Sequence, residues 1–121
     1  MKAVFDTNIL IDYLKGTKAA ATELARFDMK AISVITYIEV LVGLNDEKII
    51  RSVKDFLNSF TIITVNQQIA DLSVLARRKH KLKIPDAIIF ATAQSLDALL
   101  VTRNTKDFSQ TIPIVRVPYN L

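Results

Sequence analysis

Three carboxylates in this 121-residue chain stand in surroundings that are wrong for ordinary surface acids. Asp6 closes the short apolar run containing Val4 and Phe5 and is followed by Thr7-Asn8. Glu39 sits in Ile38-Glu39-Val40, inside a segment that is apolar on nearly every side, and Asp86 follows Pro85 at the head of the apolar stretch Ala87–Ala93. Singly, each has an ordinary explanation: Asp6 as a helix cap, Asp86 as a first-turn acid favouring the helix dipole, Glu39 as the partner of an Arg or Lys. Glu39 resists that explanation most, because a lone buried carboxylate is costly unless paired or bound to metal. Gathered at one rim, the three acids repel one another and resist ionisation unless a cation neutralises them.

The donor set points to a hard cation. Carboxylate oxygens suit Mg²⁺ or Mn²⁺, and Mg²⁺ usually keeps waters and accepts a substrate phosphate as well. The chain has no cysteine and one histidine, His80, in a basic run where it reads as a solvated helix residue. That argues against a zinc site and rules out a thiol nucleophile. The chemistry such acids support is phosphodiester hydrolysis with a metal-activated water, which requires no protein nucleophile and leaves 5′-phosphate and 3′-hydroxyl ends.

The elements that must position these acids alternate. Lys2–Asp6 reads as a strand, followed by helices from about Asn8 to Lys15, stopped by Gly16, and from Lys18 to about Phe27. Ala31–Val34 is a second strand and Ile35–Leu44 an unusually apolar helix. Ile49, Ile50, Val53, Phe56, Leu57 and Phe60 fall on one face of an amphipathic helix over 46–60. Thr61–Val65 is β-branched and reads as a strand, Asn66 caps a helix running to about His80, and Pro85 opens another. Ala98–Thr102 and Ile114–Val117 complete five strands. Strand–helix alternation from end to end implies one domain over 1–121, a mainly parallel sheet of four or five strands flanked by helices. The ligand crevice then lies outside the carboxyl ends of the strands, which places Asp6 and Thr102–Asn104 at the same rim.

Half the residues are hydrophobic and the formal net charge is +4, compatible with a polyanionic partner. No apolar stretch is long enough to span a bilayer, so no membrane partner is expected. The apolar run after Lys2 is too brief for a signal peptide, so Met1 is expected to begin a mature, cytoplasmic chain. Arg77, Arg78, Lys79, Lys81 and Lys83 form a basic run, which is either a solvated helix end or a grip on phosphates.

Asp6-Thr7-Asn8 after the first strand, Glu39 in an apolar helix, Pro85-Asp86-Ala87 opening another and Thr102-Arg103-Asn104-Thr105-Lys106-Asp107-Phe108 near the end resemble the PIN domain family. Within it, the chain is most similar to the VapC toxins of VapBC toxin–antitoxin pairs, along essentially its whole length. The resemblance implies an α/β/α sandwich and an Mg²⁺- or Mn²⁺-dependent endoribonuclease toxin in which Asp6, Glu39 and Asp86 hold metal. It also implies a fourth catalytic position in the segment Thr102–Asp107. Many relatives have an acid where this chain has Asn104, and Asp107 is the nearest carboxylate. Thr7, Asn8, Thr102 and Asn104 are the supporting residues, with the two threonine hydroxyls orienting the acids or capping local backbone.

The resemblance further implies an RNA substrate, structured RNA such as tRNA among the candidates, a VapB-type antitoxin and a homodimer. Arg103 and Lys106 beside the site and the Arg77-Arg78-Lys79 triple are the expected RNA contacts. The apolar surplus of Ile9–Leu14 and Ile35–Leu44 serves the core, or else a dimer or antitoxin surface. Two rival readings remain. A degenerate PIN domain that binds RNA or protein without cleaving is kept open by Asn104. A haloacid-dehalogenase-type phosphotransfer enzyme would need an acid at the position of Asn8.

Overall fold

Side-chain alternation along the first strand determines how the layers are built. In the computed structural model, which describes residues 1–121, β1 (Lys2–Phe5) sends Ala3 and Phe5 into one core and Val4 into another, all three buried. β2 (Met29–Ser33) does the same with Ile32 and Ala31. A strand buried on both faces must be apolar at successive positions, as β1 is.

The remaining elements follow in the order α1 (Thr7–Leu14), α2 (Lys18–Ala25), β2, α3 (Val34–Val42), α4 (Glu47–Leu57), β3 (Thr61–Ile63), α5 (Gln67–His80), α6 (Ile84–Ser95), β4 (Leu99–Val101) and β5 (Val115–Arg116). The sheet has the order β3-β2-β1-β4-β5, and every pairing is parallel. The expected α/β sandwich is therefore present, with five strands and helices on both faces. From β1 the chain builds outward to β3, then returns past β1 to lay down β4 on its other side. Strand order reverses between β1 and β4, and the crevice at such a reversal is where open parallel sheets bind ligands.

On one face, Phe5 meets Phe27 and Phe60 edge-on at centroid distances of 5.7 and 6.0 Å, surrounded by Ile9, Leu10, Leu24, Val53 and Leu57. On the other face, α6 buries Ala87, Ile89, Phe90, Ala91 and Ala93, and Phe90 stacks on Phe108 at 6.3 Å. Edge and stacked pairs of this kind add about 0.5–1.5 kcal/mol beyond burial.

Several element ends differ from the sequence expectation. Strand β3 stops at Ile63, since Thr64 and Val65 are exposed and lead directly to the Asn66 cap, whose side chain accepts from Ile69 N at 2.8 Å. Helix α4 ends at Leu57, where Asn58 Nδ2 returns to the Lys54 carbonyl and Ser59 Oγ to the Phe56 carbonyl. The resulting turn, rather than helix, delivers Phe60 to the core. Gly16 does terminate α1, at φ +91°, a backbone region that favours glycine. His80 is half-buried rather than solvated, edge-on to Phe90 at 5.2 Å.

Candidate active site

Because β1 and β4 are adjacent and parallel, their carboxyl ends stand side by side, and Asp6 N donates to the Val101 carbonyl at 2.9 Å. Asp6 is the next residue after β1 and the N-cap of α1. Its Oδ1 accepts from Thr7 N at 2.8 Å. Its Oδ2 accepts from Thr102 Oγ1 at 2.7 Å and from Asn8 Nδ2 at 3.2 Å. Asp6 therefore caps α1 with one carboxylate oxygen, while Thr102 and Asn8 hold the other at the rim.

Asp6 is only 4% exposed. Burial pushes its carboxyl up to about 6 against the hydrogen bonds from Thr102 and Thr7, and the charges of Asp86 and Glu39 push the same way. Asp86, in the first turn of α6, is also raised, by burial first and then by the charges of Asp107 and Glu39, with Lys83 opposing. Glu39, Asp86 and Asp107 therefore share one electrostatic field with Asp6. No three of these side chains come close enough to hold a metal ion between them. An open, all-oxygen rim with two resisted ionisations suits a hard divalent cation that keeps most of its own waters.

The burial argument for Glu39 is overturned. Only Thr36 and Val40 of α3 are buried, while Ile38 and Glu39 are exposed. An apolar helix does not bury every face when it packs along one side. The Glu39 carboxylate nonetheless accepts from Thr7 Oγ1 at 2.6 Å. The Thr7 and Thr36 hydroxyls lie 3.1 Å apart. A hydroxyl has one proton, so the Thr7 hydroxyl serves either Glu39, at the shorter distance, or Thr36, which accepts from it. Thr36, fully buried, is a supporting residue that sequence reasoning did not find.

Thr102 uses its whole hydrogen-bonding capacity. Its hydroxyl donates to Asp6 and accepts from Asn104 N at 3.0 Å and Asn8 Nδ2 at 3.4 Å. Asn8 Oδ1 in turn accepts from Arg103 N at 3.1 Å. Asn104 does not project an orphaned amide in place of an acid. Its Nδ2 donates to Asp107 Oδ2 at 2.9 Å and its Oδ1 accepts from Asp107 N at 3.2 Å, fixing the carboxylate whose charge reaches Asp86. Thr7, Asn8, Thr102 and Asn104 are all brought to the rim.

The expected RNA contacts divide. Arg103 is not free: its guanidinium grips Asp12 through Nε at 2.7 Å and Nη2 at 2.9 Å. Asp12 is buried, also accepts from the Tyr119 hydroxyl at 2.8 Å, and is held below the usual carboxylate range. Burial opposes that shift, and Arg103 and Tyr119 more than offset it. Asp12 lies three residues after Ile9 on the buried face of α1, the spacing that could have revealed it. Arg77 spends one nitrogen on the Leu82 carbonyl at 2.6 Å, closing the turn between α5 and α6. Arg78, Lys79, Lys83 and Lys106 are exposed and outside every ion pair, and Lys83 is the cation whose field reaches Asp86.

A PIN domain family model matches residues 3–112. The chain belongs to the PIN domain family. It is 30% identical over 114 residues to ribonuclease VapC1 of Methanocaldococcus jannaschii, covering 90% of this chain and 80% of that protein. It is 28% identical over 125 residues to ribonuclease VapC19 of Mycobacterium tuberculosis, covering 96% and 98%. One chain of a toxin–antitoxin complex from Klebsiella pneumoniae superposes with a TM-score of 0.93 at 46% identity, covering 99% of this chain and all (100%) of that one. This PIN domain is therefore of the VapC-like kind, and the phosphotransfer reading falls with the match. The amide that displaces the second acid of that class, Asn8, serves here to hold Asp6 and Arg103.

Proposed function

We infer that this protein is a VapC-like toxin ribonuclease, an endonuclease on RNA that is neutralised by a VapB-type antitoxin. The ribonuclease relatives and the toxin–antitoxin complex support that reading. The observation that carries it in this chain is Asp6: held on both oxygens, and with its carboxyl raised first by burial and then by the charges of Asp86 and Glu39. Asp6 and Asp86, with Glu39 and Asp107 reaching in through coordinated water, are the residues that would hold an Mg²⁺ or Mn²⁺ ion, which would supply charge for the scissile phosphate and an activated water.

The chain's own residues do the positioning. Thr7 and Thr102 hold the carboxylates of Glu39 and Asp6, and Asn104 holds that of Asp107, so each acid is oriented before substrate arrives. Lys83 and Lys106 meet the phosphates of RNA near the acids, while Arg78 and Lys79 serve a longer substrate such as tRNA. The Asn104 amide, which holds Asp107 on both its carboxylate and its backbone N–H, supports a cleaving site more than a non-cleaving binder.

Exposed apolar side chains suit partners in two places, one being Tyr13 and Leu14 on α1 with Ile38 and Val42 on α3. The other is a groove of about 400 Å³ between α5 and α6, lined by Val65, Val74, Ile84 and Ile88 and flanked by Arg77 and Arg78. The homodimer that the resemblance implies is checked by light scattering; finding only monomer at high concentration counts against it.

The deciding experiment incubates purified protein with labelled RNA in Mg²⁺, in Mn²⁺ and in chelator, comparing wild type with Asp6→Asn and Asp86→Asn. Metal-dependent cleavage lost in both variants is the expected result. Equal cleavage by all three proteins means contaminating ribonuclease and overturns the assignment.

A further inference from the structure

Asp12 is buried like Asp6, but its charge is answered in full. Its Oδ1 accepts from Arg103 Nη2, and its Oδ2 from both Arg103 Nε and the Tyr119 hydroxyl. The place of Arg103 in the chain gives this cluster its reach. The preceding residue, Thr102, holds Asp6, and the following residue, Asn104, holds Asp107. The Arg103 amide itself donates to Asn8.

Beyond Val101 no strand or helix supports the chain until Val115. The intervening segment has local turn bonds, Thr105 N to the Arg103 carbonyl and Phe108 N to the Asn104 carbonyl, and one buried anchor, Phe108 against Phe90. The stretch bearing Asn104 and Asp107 is therefore pinned at its far end by Phe108 and at its near end by Thr102 and Arg103. The Arg103 side chain ties that near end to the body of α1. Tyr119 brings the segment after β5 to the same carboxylate.

Stability alone does not explain this choice of residues, since an apolar cluster of similar volume is often as stabilising as a buried ion pair. Apolar contacts lack direction. A guanidinium fork on a carboxylate fixes both distance and orientation, and a lysine at the same place cannot, because it offers a point charge instead of two parallel donors.

We propose that Asp12, Arg103 and Tyr119 are positioning residues whose closed fork sets Thr102–Asp107 against Asp6 and Asp86. The proposal rests on the nuclease reading above and assigns Arg103 to the loop instead of to RNA. Its test uses the full chain and two readouts: steady-state cleavage of labelled RNA in Mg²⁺, and amide hydrogen exchange of residues 102–108 in metal-free protein.

Arg103→Lys keeps the charge and loses the fork. It is expected to lower kcat by about 10²-fold, the cost of a small misplacement of catalytic groups, with KM unchanged. Exchange at the Arg103 and Asn104 amides is expected to quicken, because their acceptors are the groups the fork aligns. Tyr119→Phe, which removes one of the three bonds to Asp12, is expected to shift both readouts the same way by less, and decides the matter should Arg103→Lys not fold. A folded Arg103→Lys protein with wild-type exchange and wild-type kcat overturns the proposal. A loss confined to KM also overturns it and returns Arg103 to substrate binding. If wild type itself shows no metal-dependent cleavage, the nuclease reading fails, while the exchange measurement still judges whether the fork orders the segment.

Discussion

Thr102 Oγ1 donates a 2.7 Å hydrogen bond to Asp6 Oδ2 across a separation of 96 residues in the chain. The bond is available because β1 and β4 are parallel neighbours that end together, so the residues just past Phe5 and Val101 face each other. The same hydroxyl accepts from Asn104 N and Asn8 Nδ2, so it joins the two halves of the acidic rim.

Replacing Thr102 with Val keeps the shape but leaves Asp6 without its shortest side-chain donor and the Asn104 amide without an acceptor. Leaving such buried groups unpaired costs about 1–3 kcal/mol. We expect Thr102→Val to lose stability in that range and most cleavage activity, and Thr102→Ser to restore both. Urea denaturation together with RNA cleavage rates checks this. A fully active Thr102→Val protein would show that Asp6 needs no orienting hydroxyl.

Asp6 carries a stability cost of its own that a divalent ion should relieve. Its folded pKa of about 6 lies above the ordinary 3.8. Its contribution to stability is therefore complete below about pH 4 and is lost as pH rises through about 6. In chelator, Asp6→Asn should be more stable than wild type at pH 8, by up to ~3 kcal/mol, with the difference vanishing near pH 4. Added Mg²⁺ should raise the Tm of wild type and leave that of the variant unmoved. Denaturation curves across pH, with and without the ion, decide it; an Asp6→Asn protein less stable than wild type at pH 8 in chelator would contradict the assignment.

The order of the elements and the meeting of Asp6 with Thr102 were legible in the sequence, because strand–helix alternation forces a parallel sheet and the apolar runs mark which strands are buried. Glu39 was misread for a physical reason: hydrophobicity around a residue reports what a helix can bury, not the side along which it packs. Ile38 and Val42 stay exposed for the same reason, 53% and 77% accessible. Asp12 and Glu23 went unnoticed because the partners that bury them, Arg103 with Tyr119 and Arg116, lie far along the chain, and the neighbouring Arg26 reads as an ordinary surface pair with Glu23. Only the three-residue spacing from Ile9 to Asp12 and from Ala20 to Glu23 hints at burial. The role of Asn104 was closed to sequence reasoning, since an amide three residues before an aspartate reads equally as a lost ligand and as its clamp.

Those two hidden acids make stability respond to acid with the opposite sign to Asp6. Asp12 and Glu23 are both held below their ordinary carboxylate values, in each case because the hydrogen bonds and charges of their arginine partners outweigh burial. Their contributions are present above the unfolded carboxylate range near pH 4 and are lost as pH falls through the depressed folded values. Acid unfolding should therefore set in below about pH 4, and Asp12→Asn or Glu23→Gln should flatten that limb. Arg116→Met, which strands the 2% exposed Glu23 with only Arg26 beside it, should cost about 3 kcal/mol at pH 7. Urea titrations between pH 3 and 7 test both; an acid limb unchanged by either carboxylate substitution would place the acid sensitivity elsewhere.

The cations nearest the acids should control how cleavage depends on salt. Lys83 is exposed, caps the start of α6 without a side-chain cap bond and lowers the Asp86 carboxyl through its charge. Lys106 is exposed on the segment that carries Asn104 and Asp107. Each lysine that neutralises one phosphate contributes about one unit to the slope of log affinity against log salt. Lys83→Ala and Lys106→Ala should each reduce that slope by roughly one and raise KM at physiological salt. Lys83→Ala should also shift the acidic limb of the pH–rate profile upward, because Asp86 loses its only lowering influence. The Arg77, Arg78 and Lys79 triple-alanine variant should change the slope with tRNA and leave it alone with a short oligonucleotide that spans only the acidic rim. A wild-type slope with tRNA would show that the end of α5 is a solvated helix terminus and that RNA is held at the rim alone.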